Sequence, residues 1–151
     1  MNLKTIEQVD VGRVALLFDR YRQFYRQPPD MRAALAFMRD RVRKRDSLIA
    51  VMECEEVLAG LIQVYPTLSS ITVSDIWVIN DLYVEPAYRG RGIAGELIGW
   101  VHATAKTVGI GQIRISTEIS NGVAQKLYES IGYTADTRFK HYVASLQAAP
   151  G

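Results

Sequence analysis

Leu82-Tyr83-Val84-Glu85-Pro86-Ala87-Tyr88-Arg89-Gly90-Arg91-Gly92-Ile93-Ala94-Gly95 is the stretch that decides the fold. Upstream, Ile71 to Val84 is long and rich in β-branched and aromatic residues, the composition of a strand, and Glu85-Pro86 stops it. Downstream, Ile93, Leu97, Val101, Thr104 and Val108 recur at helical spacing up to Gly109. A strand therefore enters a glycine loop that opens a helix. The free N–H groups of a helix start, with the positive end of its dipole, bind phosphate oxygens. Glycines allow close backbone approach, and Arg89 and Arg91 add charge. The segment predicts a diphosphate ligand. The competing reading is an ordinary helix-start turn with two solvated arginines.

Working outward, Asn2 to Gln8 alternates like a short strand, and Asp10 is placed to cap a helix carrying Val14, Leu17, Phe18, Tyr21 and Tyr25. Pro28-Pro29-Asp30 ends it and starts a second helix with a stripe of Met31, Leu35, Met38 and Val42. Strands are predicted over Ser47 to Met52 and Val57 to Tyr65, separated by the charged turn Glu53 to Glu56 and closed by Pro66. Ser74-Asp75 and Asn80-Asp81 interrupt the long strand, and such a strand usually carries a bulge. Beyond the central helix, Gln112 to Glu118 reads as a strand, Asn121 to Gly132 as a helix and Arg138 to Leu146 as a last strand, before a frayed Gln147 to Gly151. Antiparallel strands followed by a β-α-β-α-β half make an α/β (α+β mixed) domain, one mixed sheet with helices on both faces.

Gly90-x-Gly92-x-x-Gly95 formally matches the dinucleotide fingerprint, with Glu118 near the end of the next strand. However, Glu85 to Arg89 intervene between strand and motif, too little chain follows for a doubly wound sheet, and the preceding strands look antiparallel. No Gly-Lys-Ser/Thr follows, which excludes a P-loop. Arg89-Gly90-Arg91-Gly92-Ile93-Ala94 instead fits an Arg/Gln-x-x-Gly-x-Gly/Ala pattern after Leu82-Tyr83-Val84-Glu85-Pro86. A second segment follows at the right distance, Asn121-x-x-Ala124-x-x-Leu127-Tyr128-x-x-x-Gly132-Tyr133. In both motifs, and in their order, the chain resembles the GNAT superfamily of N-acetyltransferases. The stretch Tyr21-Arg22-Gln23-Phe24-Tyr25-Arg26-Gln27-Pro28 is also similar, less specifically, to polyamine- or histone-acetyltransferase-like members.

The resemblance implies about seven strands and four helices, with the sheet splayed between the strands ending at Val84 and Glu118, and acetyl-CoA in the gap. Its pyrophosphate would meet Arg91, Gly92, Ile93, Ala94 and Gly95, with Arg89 and Gly90 in the same loop. Its pantetheine arm would pair with Leu82, Tyr83 and Val84 as an added strand. A bulge near Asn80 to Leu82 would aim an N–H at the thioester carbonyl. Asn121 and Ala124 would contact the cofactor, and Tyr128 would both touch it and protonate the leaving thiolate. A base must take the amine proton; Asp81 is the first candidate, Glu118 the second, Asp75 the third. Tyr21, Tyr25, Asp30 and Asp81 are candidates for binding the acceptor. Two other readings remain, a non-catalytic acyl-CoA-binding regulator and a dinucleotide-binding module.

With 151 residues and 48% hydrophobic content, the chain suits a single N-acetyltransferase domain over residues 1–151. One cysteine, Cys54, and two histidines, His102 and His141, leave no basis for disulfides or a metal cluster, so no metal is expected. No signal-like start or long apolar run is present, which reads as a cytoplasmic domain with no membrane partner. The net charge of +2 is unevenly spread: Arg20 to Arg45 holds nine basic and two acidic residues, a net of +7, and the rest carries −5. Within the +7 segment, the basic stretch Arg39 to Arg45 reads as a solvated helix face and predicts no nucleic-acid partner. The acids near the predicted chemistry suit a cationic amine, either a small molecule or a peptide. A homodimer is left open.

Overall fold

Two aspartates start the N-terminal helices. Asp10 accepts hydrogen bonds from the N–H groups of Gly12 and Arg13 at 2.8 and 3.2 Å and opens α1, Val11–Phe24. Asp30 accepts from the N–H of Ala33 at 3.0 Å and opens α2, Met31–Lys44, which ends at Arg45 in a left-handed conformation. Each side chain satisfies donors that a helix start leaves unpaired. The structure, a computed structural model, describes residues 1–147. It groups them into a first unit, Met1–Ser116, and a second beginning at Thr117.

The first unit carries a five-stranded mixed sheet in the order β1 (Asn2–Thr5), β2 (Leu48–Cys54), β3 (Val57–Ser69), β4 (Ser74–Val84), β5 (Ile113–Ile115). The first four strands pair antiparallel, and β5 pairs parallel to β4. Between β4 and β5 runs α3, Ile93–Thr107. The expectation of about seven strands is corrected to five among the described residues. The predicted last strand, Arg138 to Leu146, forms no ladder there, and Tyr142 and Val143 are 88% and 97% exposed. A strand exists only through its partners, so apolar alternation without one stays irregular. The tail expected to fray, Gln147 to Gly151, lies outside the described residues except for Gln147.

Other expectations shift too. Val57 to Tyr65 does not stop at Pro66; β3 continues to Ser69, with Pro66 opposite Trp77. Beyond Val64 no β2 residue pairs with β3, so this end is an edge, where a missing N–H costs no ladder bond. The strand expected from Asn2 to Gln8 turns into a 3₁₀ turn at Ile6. In α2 the buried residues are Ala34 and Met38, whereas Met31 and Val42 are 41% and 39% exposed. The turn between β2 and β3 narrows to Glu55-Glu56, both at positive φ.

The core on one face joins Val14, Leu17 and Phe18 of α1 and Met38 of α2 to Ile49, Val51, Leu61 and Tyr83 of the sheet. Gly60, neighbour of Leu61 on β3, points to the other face, where a Cβ would lie 2.7 Å from Ile93 Cγ2. Its lack of a side chain lets α3 pack closely there. The second unit contains α4, Gly122–Ile131, capped by Asn121, whose Oδ1 accepts from the Ala124 N–H at 3.1 Å, and ended by Gly132 at φ 106°. No described helix is long and apolar enough to cross a membrane.

Candidate active site

β4 and β5 pair only from Trp77–Ile79 to Ile113–Ile115. Past Ile79 the β5-side edge of β4 has no strand partner among the described residues. The register on its other side slips at that point: Gln63 faces Asp81 and Val64 faces Ile79, so Asn80 is the extra residue of a bulge. The bulge expected from the length of the strand is therefore present. Strand Asn80 to Val84 then runs into the turn Pro86–Tyr88 and the glycines. Gly90 and Gly92 sit at φ 76° and 79°, the left-handed region that disfavours a Cβ. Gly92 occupies the N-cap of α3 without a side-chain cap. No cap side chain therefore serves the first N–H groups of α3. A Cβ added at Gly90, Gly92 or Gly95 would meet nothing within 4 Å. An open strand edge, an uncapped helix start and open space before it fit an extended thiol arm ending in a diphosphate.

Arg89 donates from Nε to the Val84 carbonyl at 2.9 Å and lies over the rings of Phe24 and Tyr83. Arg91 reaches the Ala87 carbonyl at 3.3 Å and lies over Tyr88. Arg20 pairs with Glu85 at 2.8 Å. Both loop arginines carry their charge on the surface beside the glycines, where an anion could reach them.

On the α1 side of the bulge an open depression of about 420 Å³ is lined by Phe18, Tyr21, Tyr25, Phe37 and Tyr65, with Arg22, Asn80 and Asp81. Consecutive residues of an unbroken strand face opposite ways; the bulge lets Asn80 and Asp81 line the same space. Asp81 is 5% exposed. Its carboxylate accepts from Gln63 Nε2 at 2.5 Å, from Asn80 Nδ2 at 3.1 Å and from the Tyr21 hydroxyl. Gln63, fully buried, also donates to the Tyr65 hydroxyl at 3.1 Å and accepts from Ser47 Oγ at 3.2 Å. Burial and then the Asp81 charge push the phenols of Tyr21 and Tyr65 above their usual range.

Of the acceptor candidates, Tyr21, Tyr25 and Asp81 come together, and Asp30 does not: its carboxylate caps α2 and its N–H bonds Asp19. Asp19, 3% exposed, gathers Arg22, Gln23 and Asp30 and fixes the turn between α1 and α2. Leu82, Tyr83 and Val84 lie on the open edge of β4, and Arg89 to Gly95 form the loop and first turn of α3. Asp75 stands opposite Leu68 near the far end of β4. Glu118, expected near a strand end, follows β5 by three residues in the turn to α4, where its carbonyl accepts from the Asn121 N–H at 2.9 Å. The strand is shorter because only Ile113–Ile115 finds β4. In the second unit Asn121, Ala124 and Tyr128 belong to the start and body of α4, with the Tyr128 and Tyr133 rings 6.1 Å apart. Sequence reasoning missed Gln63, Tyr65, Phe37 and Asp19. Gln63 carried a signal: an isolated amide within an apolar strand must find buried partners. Among the described residues no three His, Cys, Asp or Glu side chains gather to hold a metal ion.

The profile described as Acetyltransferase (GNAT) family matches residues 14–133. The chain is 36% identical over 148 residues to the uncharacterized N-acetyltransferase YhfO of Bacillus subtilis (strain 168), covering 98% of this chain and 99% of that protein. The crystal structure of a probable acetyltransferase superposes with a TM-score of 0.88 at 31% identity, over 99% of this chain and 100% of the other. An aminoglycoside N-acetyltransferase in complex with CoA shares the fold at a TM-score of 0.81 and 16% identity, over 95% and 93% of the two chains.

Proposed function

The chain belongs to the acetyltransferase (GNAT) family, and we propose that its acetyl-CoA-dependent N-acetyltransferase chemistry is the direct attack of a primary amine on the thioester. The whole chain is read as one catalytic domain. The single observation that carries this reading is the open edge of β4 leading into the uncapped, glycine-rich start of α3. Leu82, Tyr83 and Val84 would hold the pantetheine arm by backbone pairing. Arg89, Gly90, Arg91, Gly92, Ile93, Ala94 and Gly95 would hold the diphosphate. Asn121 and Ala124 are read as cofactor contacts from their positions in the family motif alone.

An ammonium with a pKa of about 10.4 needs roughly 4–5 kcal/mol to lose its proton at pH 7. Asp81 is read as the base, because it is a buried carboxylate in a depression that borders the bulge. Glu118 is the second candidate. Tyr128 is read as the acid that protonates the departing thiolate, and this rests on its position in the family motif. Tyr21 and Tyr25 would flank the acceptor, a small cationic amine or a protein lysine, beside Asp81.

Acetyl-CoA is expected to raise the melting temperature where NAD does not, since a ligand that binds only the native state stabilises it. A screen of amines following thiol release then tests transfer. Tyr128→Phe should lower kcat by roughly 10²–10⁴-fold with acetyl-CoA affinity near wild type. An unchanged kcat would remove the tyrosine from the mechanism. Asp81→Asn should lower kcat by a similar factor if Asp81, rather than Glu118, is the base.

A further inference from the structure

We infer that the acceptor is a primary monoamine on an apolar, preferably aromatic, body; this deepens the proposed function and rests on it. Five rings, those of Phe18, Tyr21, Tyr25, Phe37 and Tyr65, wall the depression around Asp81. The polar ends of two of them are turned into the protein. The Tyr21 hydroxyl is spent on Asp81, and the Tyr65 hydroxyl accepts from Gln63. These side chains therefore offer ring surface more than hydrogen bonds. Such surface takes up apolar groups by burial and an ammonium by its ring faces.

The charge count in the depression is equally selective. Asp81 is the one carboxylate among its lining residues. Arg22, the one lining cation, already pairs with Asp19 at 2.8 Å, and Arg41 near Tyr65 pairs with Asp46 at 3.2 Å. One ammonium finds one carboxylate. A second ammonium would find no second carboxylate among the lining residues, and for the many hydroxyls of an aminosugar the rings leave few polar side chains, chiefly those of Tyr25, Gln27 and Asn80, to replace water. The volume of about 420 Å³ falls within the roughly 300–1,000 Å³ of small-ligand pockets.

The test uses the full chain, acetyl-CoA and thiol release with phenethylamine, butylamine, hexylamine, cadaverine, spermidine, Nα-acetyl-lysine amide and kanamycin. Phenethylamine and hexylamine should exceed cadaverine in kcat/KM by tenfold or more. Between butylamine and hexylamine each methylene should contribute about fourfold. A preference for cadaverine, spermidine, the lysine amide or kanamycin overturns the inference and leaves amine acetylation standing. If no amine is acetylated although acetyl-CoA raises the melting temperature, the proposed transfer itself fails, and this inference with it. Phe37→Leu, a mild change in one wall, should lower the phenethylamine-to-cadaverine ratio several-fold. An unchanged ratio removes that wall from the site and overturns the placement.

Discussion

Gln63 shows how much of this site depends on a single neutral side chain. Both hydrogens of its amide are used, on Asp81 and on Tyr65, and its oxygen accepts from Ser47. That arrangement fixes which way the amide points, since an ionised carboxylate can only accept. Replacing it with an acid of the same shape separates its donor role from its packing. In Gln63→Glu the introduced carboxyl donates to Asp81 only while protonated; once ionised it repels Asp81 across the same short contact. The ratio of variant to wild-type kcat/KM should therefore fall, by tenfold or more, as pH rises from 5.5 to 8.5. A flat ratio would show that Gln63 only fills space. Asp81 itself was legible as a carboxylate in the expected bulge of a long strand, but its partners were not. They come from β3 and α1, and no local pattern joins residues 21, 63 and 81.

Elements were legible wherever the instruction is local. Asp10, Asp30 and Asn121 each start a helix by bonding backbone N–H groups two or three residues ahead. Gly92 and Gly132 stand at positive φ at the ends of helices, where other residues are strained. The seating of α3 on the sheet was not legible, because it depends on an absence: Gly60 has no Cβ where Ile93 Cγ2 and Leu97 Cδ1 approach to 2.7 and 3.2 Å of its position. Gly60→Ala must push α3 or distort Ile93, which is 2% exposed. Overpacking of this kind costs about 1–3 kcal/mol. The urea midpoint should fall accordingly, and acetyl-CoA affinity should fall with it, because Ile93 begins the helix whose first turn would hold the diphosphate. A variant as stable as wild type would mean that the helix has room to retreat.

At the scale of the molecule, the +7 segment is partly neutralised by acids outside it: Arg20 reaches Glu85, Arg22 reaches Asp19 and Arg41 reaches Asp46, while Arg43 pairs with Asp40 inside the segment. On the far edge of the sheet Lys4 and Arg13 both donate to Glu53, tying β1 and α1 to β2 and holding that carboxyl below its usual range. A carboxyl depressed in the folded state adds stability above its unfolded value, here 4.5, and loses it as pH falls through the lower folded value. Glu53→Gln should thus melt below wild type at pH 7, with the gap closing as pH drops from 5 to 3. A gap constant across that range would deny the ion pairs any part in it. By itself the sequence determined the family, the strand–loop–helix around the glycines, the helix caps and the presence of a bulge. Each of these is written in short-range terms: φ preferences, side chains capping nearby N–H groups, and hydrophobic period. Only the tertiary structure decided the number of strands, the passage of β3 through Pro66 and the joining of Gln63, Tyr21 and Asp81 around one depression. The physical reason is that ladder partners and register are set by residues distant in sequence, and a one-residue slip at Asn80 changes which side chains share a face.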